Sequence, residues 1–266
     1  MFTTIGFIGC GNMGGALARA VRTAAPGAQL FFANRSAEKA EALARELGGT
    51  AADNETLART CSLLVLGVKP QLMGQMLAGL APVLAARSER VVLLTMAAGL
   101  TTQTIRDMAG GEYPVIRIMP NTPVSVGAGV VQLCSLGATR EETRAVTALL
   151  SGAGLVDELE ESLMDAATAL SGCGPAFVDL FLEALSAGGA ACGLPEDKAL
   201  TYAVHTLLGA ARLQQETGLP PAQLRQAVCS PGGATIQGVY ALEQGELTQT
   251  VVRAVEAAYK RALELK

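Results

Sequence analysis

Three glycines spaced Gly9-x-Gly11-x-x-Gly14 give the chain its first chemical feature, a place where backbone rather than side chains meets a phosphate. Gly9 permits a tight turn, Gly11 leaves room for a pyrophosphate, and Gly14 lets the following helix pack close. The amides of Cys10, Asn12 and Met13 belong to the same turn, at the positive end of a helix. About 20 residues beyond such a turn, an NAD site usually carries an acid for the ribose 2′-hydroxyl. Here stand Asn34, Arg35 and Ser36, with Lys39 one turn further on. A cation and a hydroxyl in place of a carboxylate welcome a 2′-phosphate, so NADPH is expected over NADH, with NADH as the alternative donor.

A second Gly-rich stretch, Ser230-Pro231-Gly232-Gly233-Ala234-Thr235, opens a helix near the other end of the chain. Its amides and two hydroxyls favour an anion. No lysine follows, which excludes a Walker-type nucleotide loop, and a substrate carboxylate fits better. His205, the only histidine, falls among Ala203, Val204 and Leu207 on a helical pattern and is expected in a core or an interface. No CxxC pair exists among the six cysteines, so neither a zinc site nor a disulfide framework is expected. No metal site is expected.

These residues need elements to hold them. Ile5–Ile8 reads as a strand, Ala16–Val21 as the body of a helix, and Gln29–Ala33 as a second strand. Ser36 is placed to cap a helix over Ala37–Leu47. A short strand at Thr50–Ala51 and a short helix at Asn54–Arg59 follow. Leu63–Val68 is a continuous apolar run suited to a buried parallel strand, and it delivers Val68, Lys69 and Pro70 to the carboxyl end of the sheet, where ligands of open α/β sheets bind. A helix Gln71–Leu84 and a strand Val91–Thr95 lead to Ala97 and Ala98, small enough for a flat ring to approach. Tyr113–Met119 ends in a rigid turn containing Asn121. Ala128–Leu133 and Leu155–Glu158 flank a helix Glu141–Ala153 and close the sheet. Residues 1–158 therefore read as an α/β, doubly wound, mainly parallel domain that binds a dinucleotide. From residue 159 to 266 no strand pattern returns: helices are expected over 161–170, 175–192, 196–217, 220–229, 232–244 and 247–265.

Half of the 266 residues are hydrophobic and 17% are charged, which guarantees a large core and favours subunit contacts. A net charge of −4, no basic run and no tryptophan argue against nucleic acid as a partner. The apolar run Ala199–Ala211 is too short to cross a bilayer, so no membrane association is expected. Unpaired thiols, and a strand with no basic segment before it, lead to the expectation of a cytoplasmic protein without a signal peptide.

Five stretches, in order, resemble the pyrroline-5-carboxylate reductase family: Gly6–Gly14, Val68-Lys69-Pro70, Met119-Pro120-Asn121-Thr122-Pro123, Ser171-Gly172-Cys173-Gly174-Pro175-Ala176-Phe177, and Ser230–Thr235 within a longer signature from Pro221 to Glu243. Cys173 and Phe177 depart from the Ser and Tyr common in that family. The resemblance implies an N-terminal Rossmann domain, an all-α C-terminal dimerisation domain, a homodimer or larger ring, and NAD(P)H-dependent reduction of (S)-1-pyrroline-5-carboxylate to L-proline, for which the residues above favour NADPH. It implies a cofactor set of Gly9, Cys10, Gly11, Asn12, Met13, Gly14, Asn34, Arg35, Ser36, Asn54, Val68, Lys69, Pro70, Ala97, Ala98 and Asn121. It implies a substrate set of Ser230, Gly232, Gly233, Ala234, Thr235 and Glu161, with Thr235 nearest the chemistry. Two alternatives stay open: another NADP-dependent imine or β-hydroxyacid reductase, for which Asp179 would matter, or a nucleotide sensor without turnover.

Overall fold

The computed structural model describes residues 2–264. Eight strands form one sheet in the order β3-β2-β1-β4-β5-β6-β7-β8. They are β1 (Thr4–Ile8), β2 (Gln29–Ala33), β3 (Thr50–Ala51), β4 (Leu63–Leu66), β5 (Val92–Thr95), β6 (Val115–Pro120), β7 (Gly129–Leu136) and β8 (Gly154–Glu158). All neighbours pair in parallel except β6 and β7. The first six strands have the order of a dinucleotide-binding fold, with the topological switch where β1 meets β4.

The reason lies in the strands themselves. β4 and β5 are buried along their whole length, so both faces need cover. Helices α1 (Asn12–Ala24) and α6 (Arg140–Leu150) cover one face, around Phe7, Leu17, Phe32, Val65 and Ile118. Helices α3 (Asn54–Thr60), α4 (Pro70–Ala85) and α5 (Thr102–Ala109) cover the other, around Leu57, Leu64, Leu66, Leu77 and Ile105. Helix α2 (Ala37–Leu47) joins α1 and α6 on their face through Ala40, Leu43 and Ala44. Ser36 holds its N-cap position but its side chain makes no capping bond, against expectation. α5 has no counterpart in the sequence reading.

The last described strand ends at Glu158, where the strand pattern was expected to end. Compact packing continues further, because α7 (Met164–Ala167) and a π turn over Thr168–Gly172 contribute Met164 and Ala169 to buried surface. One compact unit thus takes in residues 2–172 and 259–264, and a second takes in residues 173–258.

The second unit is helical throughout: α8 (Gly174–Ala191), α9 (Glu196–Thr217), α10 (Pro221–Ala227), α11 (Ala234–Gln244) and most of α12 (Leu247–Leu263). Only Ala199 and Ala203 among its residues are buried, while Leu180, Leu208, Tyr240 and Val252 are exposed. His205 is also exposed in the isolated chain and so is not a core residue. The stretch Glu161–Ala191 is apolar and long enough to cross a membrane by length and composition, a longer run than Ala199–Ala211. Glu161, Asp165, Asp179 and Glu183 interrupt it.

Candidate functional site

The turn from β1 into α1 has the shape its glycines require. Gly9 sits at φ +107°, and a Cβ there would lie 2.5 Å from the Gly67 carbonyl oxygen. A Cβ on Gly14 would collide with the Gly9 carbonyl oxygen. Above Gly11 there is open space. Gly11 is the N-cap of α1 and supplies no side-chain capping bond. The amides of Gly11, Asn12 and Met13 therefore face outward without side-chain partners. Together these features fit a dinucleotide pyrophosphate.

From this turn an open groove of about 1260 Å³ runs across the carboxyl ends of β1, β2 and β4. It is lined by Gly9, Gly11, Asn34, Arg35, Ser36, Asn54, Val68 and Lys69 of the expected set. Lys39 lines it too, and among the described residues the side chains of Arg35, Lys39 and Lys69 carry no ion pair. Asp53 and Glu55 also line the groove. Asp53 is occupied, since its carboxylate caps α3 by accepting the Thr56 N–H at 2.7 Å, and that bond holds its carboxyl below the usual range.

The sequence reading missed the wall formed by α4. Leu72, Met76, Gly79 and Leu80 line the groove, and Leu72 is 46% exposed there. Their spacing places them along one side of a helix, which was legible once Lys69-Pro70 was taken as a helix start.

Other expected residues lie around the groove without lining it. Cys10 is buried, burial pushes its thiol up to about 11, and its N–H donates to Asn34 Oδ1, so, against expectation, neither group is left for a phosphate. Pro70 begins α4, and Ala97 and Ala98 follow β5, with the Ala97 N–H bonded to Thr95 Oγ1.

Asn121 and Glu161 both make bonds within the protein. The Asn121 amide accepts the Val130 N–H at 2.8 Å and donates to the Ser171 carbonyl at 3.0 Å, and the residue is 8% exposed. It tethers the π turn through its side chain. Gln132 reinforces the tether by donating to Ser171 Oγ. Glu161 uses both carboxylate oxygens within the protein. Oε1 accepts the Thr102 N–H at 2.7 Å and faces Arg117 Nη1 at 3.3 Å, while Oε2 accepts the Thr102 hydroxyl. A carboxylate at the first turn of α5 also suits that helix's dipole. Arg117 is 2% exposed on β6 and faces Asp165 as well, at 3.7 Å. Glu161 thus spends both carboxylate oxygens on bonds within the protein. Removing this carboxylate takes a charge-assisted bond from buried Arg117, which keeps Asp165. Glu161→Ala is expected to lose about 1.5–3 kcal/mol of stability, read as a fall in the denaturant midpoint. An unchanged midpoint would show that Arg117 does not depend on this carboxylate.

In the second unit, Ser230–Gly233 is a tight turn closed by the Gly233 N–H donating to the Ser230 carbonyl at 3.0 Å. Pro231 and Gly232, at φ +70°, are the residue types that a type II turn wants at its two centres. Gly233 then serves as N-cap of α11 without a side-chain capping bond. The Gly233 amide is thus spent inside the turn, against expectation. The amides of Ala234 and Thr235 and the exposed Ser230 and Thr235 side chains are left to meet an anion. No cluster of three or more potential metal ligands occurs among the described residues.

Comparison with known proteins extends this picture. Residues 161–265 match the family model described as pyrroline-5-carboxylate reductase dimerisation, and residues 4–99 match the one described as NADP oxidoreductase coenzyme F420-dependent. A pyrroline-5-carboxylate reductase of Glycine max is 40% identical over 267 residues, covering 98% of this chain and 96% of the relative. The crystal structure of Plasmodium falciparum pyrroline carboxylate reductase with NADP bound superposes with a TM-score of 0.87 at 33% identity, covering 99% of this chain and 98% of that one. A pyrroline-5-carboxylate reductase from Coxiella burnetii superposes with a TM-score of 0.90, also at 33% identity, over 98% of each chain.

Proposed function

The chain belongs to the pyrroline-5-carboxylate reductase family, and on that premise we propose how its residues divide the work of reducing (S)-1-pyrroline-5-carboxylate to L-proline. It is an oxidoreductase of proline biosynthesis acting on a C=N bond, with NADPH as the fitting donor. We assign residues 1–158 to the dinucleotide and residues 159–266 to substrate binding and dimerisation.

Bound NADPH supplies a hydride to the imine carbon while the ring nitrogen keeps one proton, giving proline and NADP⁺. The chain's own tasks are to bind and orient. Gly11, Asn12 and Met13 present amides to the pyrophosphate, and Arg35, Ser36 and Lys39 receive the 2′-phosphate. Asn54, Val68, Leu72 and Met76 wall the groove around the adenosine half. Lys69 serves the cofactor, because an ammonium beside a protonated imine would repel it. The substrate carboxylate rests on the Ala234 and Thr235 amides and the Ser230 and Thr235 hydroxyls, with Gly232 and Gly233 shaping the turn. A protonated imine is already electrophilic, which suits a site without an acid–base dyad.

One observation carries this division: a helix entry whose Ala234 and Thr235 amides have no partner among the described residues, in a chain that also holds a dinucleotide groove. A bacterial strain unable to reduce pyrroline-5-carboxylate should regain growth without proline when it expresses the chain. Expression of folded protein without rescue would contradict the assignment.

The exposed Leu180, Leu208, Tyr240 and Val252 lie in the segment matched by the dimerisation model, and a homodimer would cover them. Light scattering at micromolar concentration should give at least twice the chain mass. An active monomer would refute this. Six unpaired cysteines suit a reducing compartment, and we place the enzyme in the cytoplasm.

A further inference from the structure

We propose that Asn34 is a positioning residue for the dinucleotide, tying the pyrophosphate turn to the loop that discriminates the 2′-phosphate, rather than a direct contact or the discriminating residue itself. Its Oδ1 accepts the Cys10 N–H at 3.1 Å, across 24 residues of sequence. Its Nδ2 donates to the Ser36 carbonyl, also at 3.1 Å. The preceding residue adds a third stitch, since the Ala33 carbonyl accepts the Gly9 N–H at 2.8 Å. The amide thus ties Cys10 in the glycine turn to Ser36 in the loop that leads into α2. Arg35 and Lys39, on the same stretch, are exposed, line the groove, and carry no ion pair among the described residues. The labour is divided: Asn34 turns its bonds inward and sets the spacing, while its neighbours face the ligand.

An amide is the group this place requires, because it must accept on one side and donate on the other. Aspartate keeps the acceptor for Cys10 but sets a carboxylate oxygen against the Ser36 carbonyl. The change that would bond a ribose hydroxyl in an NAD site therefore breaks the clip here.

The proposal rests on the NADPH reading, and equilibrium titration of the purified enzyme with NADPH and with NADH, followed by fluorescence, tests it without turnover. Asn34→Ala should weaken both nucleotides by a similar factor, about tenfold for two lost hydrogen bonds. Arg35→Ala should weaken NADPH about tenfold or more and leave NADH within about twofold. Asn34→Asp, which serves as well should the alanine variant not fold, should also weaken both. Loss of NADPH alone in Asn34→Ala, or a gain of NADH affinity in Asn34→Asp, would overturn the proposal by showing direct contact at the ribose 2′ position. Unchanged affinity for both would overturn it by showing a solvated side chain. Wild-type protein that bound neither nucleotide would defeat it together with the NADPH reading, whereas the other adverse results leave that reading intact.

Discussion

Gly14→Val should bind NADPH at least about two decades more weakly than the native enzyme. Its side chain would collide with the Gly9 carbonyl oxygen, a backbone atom that cannot swing aside. Relieving the overlap forces helix α1 away from the turn, an overpacking cost of about 3 kcal/mol, which is about two decades in Kd. The companion change is Gly11→Val. A Cβ at Gly11 meets nothing in the protein, so this variant should unfold at the native temperature. It should nonetheless lose NADPH affinity, because the side chain fills the space a pyrophosphate needs. Titration with NADPH beside thermal unfolding separates the two cases. Native affinity in Gly11→Val would mean that no phosphate approaches that turn.

The second large effect belongs to the Ser230–Thr235 loop. Thr235→Ala removes one hydroxyl from the carboxylate and leaves the Ala234 and Thr235 amides in place. Losing a hydrogen bond to a charged group costs about 1.5–3 kcal/mol, about one to two decades in kcat/KM. NADPH affinity should stay native, since the groove lies in the first unit. Gly233→Val should be worse: its Cβ would lie 2.5 Å from Ser230 Oγ and 3.1 Å from the Ser230 carbonyl oxygen, which drives the Ser230 hydroxyl out of its place and presses on the turn. The analogue 1-pyrroline lacks the carboxylate, should be a poor substrate, and should respond much less to Thr235→Ala. An equal loss with 1-pyrroline would place Thr235 on the ring or its proton instead.

Local patterns made most of the framework legible. The apolar runs of β4 and β5, the glycine turn and the prolines at helix starts each announce themselves within a few residues. Helix α5 was missed because its buried stripe is only Thr102, Ile105 and Ala109, carried on a threonine-rich stretch of weak helix propensity. Its start was signalled all the same, by Thr101 capping the Thr104 N–H. The π turn at Thr168–Gly172 looked like plain helix followed by loop. The tasks of Asn34, Asn121 and Glu161 were out of reach for a different reason. Their partners Cys10, Ser171, Thr102 and Arg117 lie 24 to 59 residues away in sequence. Residue type announced polar groups near a site, and only the fold told which way they turn. The Gly233 amide was misread for a smaller reason: a Pro-Gly turn consumes the donor that follows it.

The most direct test of the account is steady-state oxidation of NADPH by the purified enzyme, offered (S)-1-pyrroline-5-carboxylate beside a panel of 2-keto acids and other cyclic imines. The account predicts rapid oxidation with pyrroline-5-carboxylate, one L-proline formed per NADPH consumed, and little turnover of the keto acids. Oxidation driven by a keto acid, or by cyclic imines regardless of a carboxylate, with no preference for pyrroline-5-carboxylate, would contradict it.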